Sequence, residues 1–518
     1  MGKYLGLDSS TQSLTCCLVD HDIHRIEYER TINFDEHFSD DYGTINGVLK
    51  LGNGKVHSPP LMWAEALDVL FDTMRSDGVD LSSISSISGS GQQHGTVYLN
   101  DSLTKKLANL DPGQVLKAQL SCVFSRPTSP IWMDTSTQIQ CTEIETQIGG
   151  QDTLLNLTGN AAFERFSAPQ IRKFYQDDPV SYHHTSTICL VSSFVASILA
   201  GTPVGIDPGD ASGTNLMDIS KHTWSRKALD ATAPDLAGKL LPISNPQITV
   251  GKISSYFSVR YGFDPRCTIL PFSGDNPCSM IGLGLVEPGR VALSLGTSDT
   301  LFACMGAPRV SHNGEGCVFA SPDGRNYMAL ICFLNGSLAR EAIRDNYDFG
   351  WQEFTQALKD TPSGNNGALI LPYFSPEITP KISNPCVVRD SLIESDAKAN
   401  VRAVVEAQAM ASKIHSEWMN VNIRSLYVTG GASTNEEILR IYANVHNCPV
   451  HRFETTNSAA LGAALRALQA DIRCDWETAV DPYTQPTANS TIEPMSNASE
   501  TYVGLLKRYE TLVNTNSH

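Results

Sequence analysis

Tyr4-Leu5-Gly6-Leu7-Asp8-Ser9-Ser10-Thr11 reads as a buried strand that ends on a carboxylate and turns through small hydroxyl residues into a second strand, Leu14 to Val19. A nucleotide phosphate fits such a turn. Far downstream, Leu293-Ser294-Leu295-Gly296-Thr297-Ser298-Asp299-Thr300-Leu301-Phe302 repeats the pattern of strand, small polar turn and strand. Either copy alone is an ordinary hairpin. The pair predicts two phosphate loops facing each other, one in each half of an α/β protein.

The 518 residues suffice for two large domains, and 41% hydrophobic with 18% charged residues is a globular composition. A formal net charge of −17 argues against nucleic acid or an anionic membrane as partner, because both need clustered Lys and Arg. Any phosphate binding must therefore be local. The 13 cysteines are odd in number and scattered, with no C-x-x-C pair, which fits reduced thiols in the cytosol better than a zinc or disulfide framework. No targeting segment is visible at the start. The apolar run from Ile188 to Ala200 is too short and too interrupted by serine to span a bilayer, and reads as a buried helix.

Strand-like and helix-like segments alternate in the first half, with a helix around Leu61 to Met74 and a strand at Ile84 to Ser88. Two polar stretches, about Phe34 to Pro60 and about Asn100 to Ser129, read as surface loops or lids. The turn Glu287-Pro288-Gly289-Arg290 just precedes the second hairpin, so the boundary is placed there, giving domains 1–284 and 285–518. A Thr/Pro/Asn/Ser-rich tail from about Asp481 to Met495 reads as loosely ordered, before a last helix from Tyr502 to Leu512.

Competing nucleotide folds fail: no G-x-x-x-x-G-K-[ST] occurs, and Gly89-Ser90-Gly91-Gln92-Gln93-His94-Gly95 is one residue too long for G-x-G-x-x-G. A third element is the strand Leu426-Tyr427-Val428-Thr429 running into Gly430 and Gly431, then the helix Glu436 to Val445. Bare glycines there admit ribose and adenine against backbone, with the helix N–H groups toward phosphate. Downstream, Asn457 to Ala464 forms a helix with almost no side-chain bulk, which suggests close packing near a nucleotide cleft. The fourth element, Ile269-Leu270-Pro271-Phe272-Ser273-Gly274-Asp275-Asn276-Pro277, carries Asp275 to a positive helix end. That end stabilises the ionised carboxylate, which would serve as a base at neutral pH without a raised pKa. Plain N-capping is the bland alternative.

Taken in order, these four elements resemble the actin-like (ribonuclease H-like) ATPase superfold, and within it the FGGY carbohydrate kinases. Ser88 to Gly95, Pro130-Ile131-Trp132-Met133-Asp134, Phe163-Glu164-Arg165-Phe166 and Gly274-Asp275-Asn276-Pro277 are similar to the sugar-site motifs of the family's eukaryotic xylulokinase branch. The resemblance implies a two-domain kinase with its active site in the cleft between domains, sugar on the first and ATP on the second. It further implies transfer of phosphate from ATP to a ketose such as D-xylulose, giving D-xylulose 5-phosphate for the pentose phosphate pathway, in a cytoplasmic monomer or homodimer. Asp275 would be the general base; Gln93, His94, Arg165, Asp275 and Asn276 would bind sugar, with Trp132 offering a ring face and Asp134 accepting from hydroxyls. Asp8 would hold Mg2+ through water. Thr11 with its neighbours, and Gly296, Thr297 and Ser298, would hold phosphates, with Trp351, Gly430, Gly431 and Asn435 along ribose and adenine. Kinases of the same family for ribulose, gluconate or glycerol share the phosphate machinery, and a silent ATP-switched sugar binder shares the fold. The family's R-A-x-x-E-G helix is here Arg402-Ala403-Val404-Val405-Glu406-Ala407, with Ala in the last place.

Overall fold

The computed structural model describes residues 2–454 and 457–516. The chain divides into two compact units: residues 1–286 with 319–327 and 457–484, and residues 287–318 with 328–456 and 485–518. The first break falls close to the Glu287–Arg290 turn. The chain then returns to the first unit twice, a crossing that local sequence does not signal.

In the first unit the opening strand Lys3–Ser9 pairs antiparallel with Ser13–Asp20, which pairs antiparallel with Arg25–Asn33. On its other side lies the parallel strand Ile84–Gly91, then Thr268–Ile269 and Gly251–Lys252. Leu5 and Leu7 point to one face and are fully buried, each contributing about 1.5–3 kcal/mol. Gly6 faces the other way, where a Cβ would sit 1.9 Å from the Ala460 carbonyl oxygen. The helix Ser458–Ile472 can come so close because its first two turns hold only Ser, Ala, Leu and Gly. A Cβ on Gly282 would meet the Ser458 carbonyl oxygen at 2.0 Å, and one on Gly462 the Cys278 carbonyl oxygen at 1.9 Å. Close packing is thus present as expected, and what it serves is the seat of this helix on the first strand and on the helix Asp275–Gly282.

The second unit is built around a sheet ordered Cys317–Ala320, Tyr327–Phe333, Asp299–Met305, Arg290–Leu295, Ser425–Thr429, Val450–Arg452. Its central strand again has an antiparallel hairpin partner on one side and a parallel strand on the other. The echo between the two hairpins is therefore an echo of whole sheets.

Three expected loops are structured. Residues 34–60 hold the helix Phe34–Tyr42, capped by Asn33, and the paired strands Leu49–Gly52 and Lys55–Ser58. Within 100–129 two short helices dock, with Leu116 and Leu120 fully buried and the Leu116 N–H on Asp68 at 2.7 Å. The tail is held where Ile492 bridges Val450 and the Met495 N–H donates to Asn444 at 2.9 Å. The last helix is longer than expected, Ala498–Asn516, and its Tyr502 hydroxyl reaches Glu406 at 2.7 Å. Glu406 also pairs with Arg402 at 2.8 Å, so the altered R-A-x-x-E-A helix keeps its buried ion pair. The Ile188–Ala200 run is a short strand followed by a buried helix. No helix among the described residues is long and apolar enough to cross a membrane.

Candidate active site

Asp8 stands at the C-terminal end of the first strand, directly opposite Ser90 of its parallel neighbour. The Ser90 hydroxyl donates to Asp8 Oδ1 at 2.7 Å, and the Ser10 hydroxyl donates to Oδ2. Among the described residues no cation pairs with Asp8. Burial raises its pKa, and the two hydroxyls offset that only in part.

Asp275 is the first residue of its helix, whose N-cap is Gly274, so capping is not its role. Its Oδ1 accepts from the Asn276 N–H at 2.8 Å, the Asn276 side-chain amide at 3.1 Å and the Gln93 N–H at 3.2 Å. Among the described residues Oδ2 has no hydrogen-bond partner. One oxygen is thus anchored and the other is free to take a proton. The side chain keeps partial solvent exposure although protein surrounds it in depth. The expectation of an unshifted carboxylate is not met: burial, and secondarily the Asp8 charge, push its pKa up to about 7, outweighing the backbone donors. The helix end was readable from sequence, the surrounding depth was not.

Gln93 and Asn276 lock this carboxylate. The Asn276 amide donates to Gln93 Oε1 at 3.1 Å, and Gln93 Nε2 donates to the Gly209 carbonyl at 3.3 Å. His94 follows with a left-handed backbone, φ +76°, and its ring stacks on Phe166 at 4.3 Å between centroids. Arg165 lies near enough to oppose protonation of His94, rests over the Phe163 ring at 5.3 Å, and makes no ion pair among the described residues. Its buried Nε lacks a partner, as a group reserved for a ligand would.

Two of the remaining sugar-side residues behave differently. Trp132 is 43% exposed and donates through Nε1 to Thr11 Oγ1 at 2.8 Å. Thr11, expected on phosphate, is therefore tied to the Trp132 side, with its own hydroxyl 3.4 Å from Gln92 Oε1. Asp134 is a correction. It is fully buried, with Oδ1 accepting from Ser136 N, Ser136 Oγ and Gln170 Nε2 and Oδ2 from Val56 N, all within 2.9 Å, so the carboxylate ties these segments together and is closed off from a sugar hydroxyl.

In the second unit, Gly296, Thr297 and Ser298 form the hairpin turn, with Thr297 exposed. Both shoulders are held by the buried Arg340, which bonds Asp299 at 2.9 and 3.0 Å and approaches the Gly296 carbonyl at 3.4 Å. Gly430 and Gly431 have different reasons to be glycine. A Cβ on Gly430 (φ +87°) would meet the Leu295 carbonyl oxygen at 2.5 Å, whereas the side of Gly431 is open. Asn435 caps the helix Glu436–His446, accepting from the Glu437 and Ile438 N–H groups. Two of the helix-opening N–H groups expected on phosphate are therefore taken. Trp351 is 44% exposed and lies under the Arg344 guanidinium at 4.5 Å.

Sequence reading passed over Ser90 and Gln92, although both lie inside the quoted 88–95 motif, and it passed over Gly213, whose carbonyl oxygen lies 2.6 Å from His94 Nδ1. Asp210-Ala211-Ser212-Gly213-Thr214 is a small-residue turn of the kind that could have drawn notice.

The family's N-terminal domain matches residues 128–282 and its C-terminal domain residues 291–470. This chain belongs to the FGGY family of carbohydrate kinases, enzymes that transfer phosphate to an alcohol group. It is 42% identical to the xylulose kinase of Rattus norvegicus, over 98% of this chain and 96% of that protein. The crystal structure of xylulose kinase from Rhodospirillum rubrum superposes with TM-score 0.82 at 17% identity, covering 99% of this chain and 98% of that one. Gluconate kinase from Lactobacillus acidophilus does so with TM-score 0.81 at 18% identity, covering 100% and 98%. Those two likenesses establish the two-domain actin-like fold and do not choose a sugar.

Proposed function

We propose that the protein phosphorylates D-xylulose at its terminal hydroxyl, using ATP, to give D-xylulose 5-phosphate, with the first unit holding the sugar and the second the nucleotide. The observation that carries the chemistry is the half-anchored carboxylate of Asp275. Three donors fix Oδ1, and the free Oδ2 takes the proton from the sugar hydroxyl as that oxygen forms its bond to the γ-phosphorus and the bond to the ADP oxygen breaks. A pKa near 7 suits a group that must be deprotonated at neutral pH and still attract a proton.

Around it, Arg165 offers only donors, while His94 Nε2 and Asn276 Oδ1 are left as acceptors once His94 Nδ1 has met the Gly213 carbonyl and the Asn276 amide has met Gln93 and Asp275, and Gln93 keeps one amide hydrogen. A polyhydroxyl chain suits such a mixture, since a missing or inverted hydroxyl would strand a buried partner. The choice of D-xylulose over other polyols rests on the rat xylulose kinase, alike across nearly the whole chain. For ATP, the open side of Gly431, the exposed Trp351 ring and the Gly296–Ser298 turn fit adenine, ribose and phosphate.

Asp8 fits Mg2+ held through water: it is a buried carboxylate with two hydroxyl donors and no cation of its own. The ion would supply the charge that steadies the triphosphate. The 13 cysteines, all unbridged, support a reducing cytoplasm as the compartment.

A coupled assay of ADP release across ketoses and polyols tests the substrate. D-xylulose should give the highest kcat/KM; a clear preference for ribulose or glycerol overturns it. Asp275→Asn should leave sugar binding intact and lower kcat by about 100-fold or more. Near-normal turnover would remove Asp275 from the mechanism.

A further inference from the structure

We propose that Gly213 is a positioning residue for sugar recognition: its carbonyl locks His94 in the Nδ1–H tautomer, which leaves Nε2 as a hydrogen-bond acceptor that admits a sugar hydroxyl and refuses a carbonyl oxygen. This rests on the sugar-binding role given to His94 above, and on geometry that has no part in the general-base step.

A backbone carbonyl can only accept. His94 Nδ1 lies 2.6 Å from the Gly213 oxygen, so that nitrogen carries the proton. The ring is held on several sides. It stacks on Phe166 with an interplanar angle of 24°, its own carbonyl accepts from the Ser167 hydroxyl at 3.1 Å, and the fully buried Phe319 stands 6.3 Å away. Burial, and the Arg165 charge that faces it, lower the His94 pKa to about 3, so the ring stays neutral and Nε2 keeps its lone pair. Nε2 has no protein partner among the described residues and is not sealed off.

The carbonyl itself is fixed by its turn. The Ser212 hydroxyl donates to the Pro208 and Gly209 carbonyls, each at 2.8 Å, and accepts from the Ala320 N–H at 3.0 Å. Asn160 donates to the Ser212 carbonyl at 3.2 Å, and Asn215 donates to the carbonyls of Asn160 and Ala161. Only glycine fits between this turn and the site. A Cβ at position 213 would lie 2.9 Å from His94 Nδ1 and 3.0 Å from Gln93 Nε2, displacing two sugar-facing side chains at once.

The test begins with the unmodified protein. With 15N-labelled histidine and His94→Gln to assign the signal, His94 should show a protonated Nδ1 and an unprotonated Nε2 from pH 5 to pH 8. An Nε2–H tautomer, or titration of this ring in that range, overturns the proposal. Added D-xylulose should move the Nε2 resonance toward the hydrogen-bonded position. If D-xylulose binds by other resonances and Nε2 stays still, the acceptor role is wrong. If no resonance moves at all, the substrate reading fails while the tautomer result stands by itself. In kinetics, Gly213→Ala should raise the sugar KM about tenfold, the cost of roughly one misplaced hydrogen bond, with the ATP KM within twofold. Equal rises in both would mark a general structural defect and count against the proposal. His94→Gln, which retains an acceptor, should keep more sugar affinity than His94→Leu.

Discussion

The two hairpins look alike in sequence and sheet position, yet their acids are neutralised in opposite ways. Asp8, in the first, is met by two serine hydroxyls and no cation. Asp299, in the second, is gripped through both oxygens by Arg340, itself held by Gln408 at 2.8 Å. Burial works against the charge on Arg340, and Asp299 outweighs it, so the guanidinium pKa is raised. An acid that has its cation inside the fold is a strut for the loop it follows. An acid left with hydroxyls alone retains an unmet demand for positive charge, which is what a metal-phosphate site needs. The similarity of the hairpins reports the fold, and the difference in their acids supports the metal role proposed for Asp8.

The sharpest way to break this distinction is to neutralise each acid in turn. Asp299→Asn should cost about 3–5 kcal/mol in denaturant unfolding, because it strands Arg340 in the interior. Asp8→Asn should lower kcat by about 100-fold, from the loss of several kcal/mol of charge stabilisation in the transition state, and leave stability unchanged or better. Equal losses of stability at the two positions would erase the contrast.

The pH dependence sharpens it further through Asp275, a carboxylate that pairs with no cation among the described residues. With Asp275 as the proposed general base, log kcat/KM should climb by one unit per pH unit on the acid side and level off above about 7. Stability follows the opposite course. A carboxyl whose folded pKa is raised contributes stability that is fully present below its unfolded value, near 3.8, and lost as pH rises through about 7. Asp275→Asn should therefore gain on the wild type in urea midpoint between pH 4 and pH 7. An activity limb centred near pH 4, or a variant that gains nothing across that window, would place Asp275 in a more solvated setting than the structure gives it.

What was legible in the sequence was whatever a strand, a turn or a helix start writes within about ten residues. Asp8, the Gly296–Ser298 turn and the Asp275 helix all sit where they were read. What depended on distant chain was not legible. The oxygens of Asp134 are consumed by Val56 and Gln170, 78 and 36 residues away, so its place in a Trp-Met-Asp motif misled. The rise of the Asp275 pKa comes from depth, against the helix end that local reading rightly saw. The small residues of 458–464 told of close packing and could not tell against what. Asn435 shows the same limit at short range, since a residue that precedes a helix reads equally well as ligand or as cap.

Glycine substitution separates the hairpins by packing, at a smaller scale. Gly6→Ala drives a methyl into the Ala460 carbonyl and should cost about 1–3 kcal/mol or more, seen as a fall in Tm. Gly296→Ala meets nothing nearer than the Ser298 carbonyl at 3.4 Å, so its effect should fall on the ATP KM with Tm nearly constant. A large Tm loss at 296 would make that turn a packing element like the strand at Gly6.

The smallest expected effect tests whether the first turn also touches the sugar side. Trp132→Phe keeps a ring and removes one donor, the Nε1–H that reaches Thr11 Oγ1 at 2.8 Å. At 43% exposure water replaces much of what is lost, so about 0.5–1.5 kcal/mol is the ceiling, a change of a few-fold in KM. If Thr11 serves phosphate through this tie, the ATP KM rises. If Trp132 serves the sugar face, the ketose KM rises and that for ATP holds. Thr11→Val removes the same hydrogen bond from the other end, and a matching pattern in both variants would show that the bond, and not the indole ring, carries the effect.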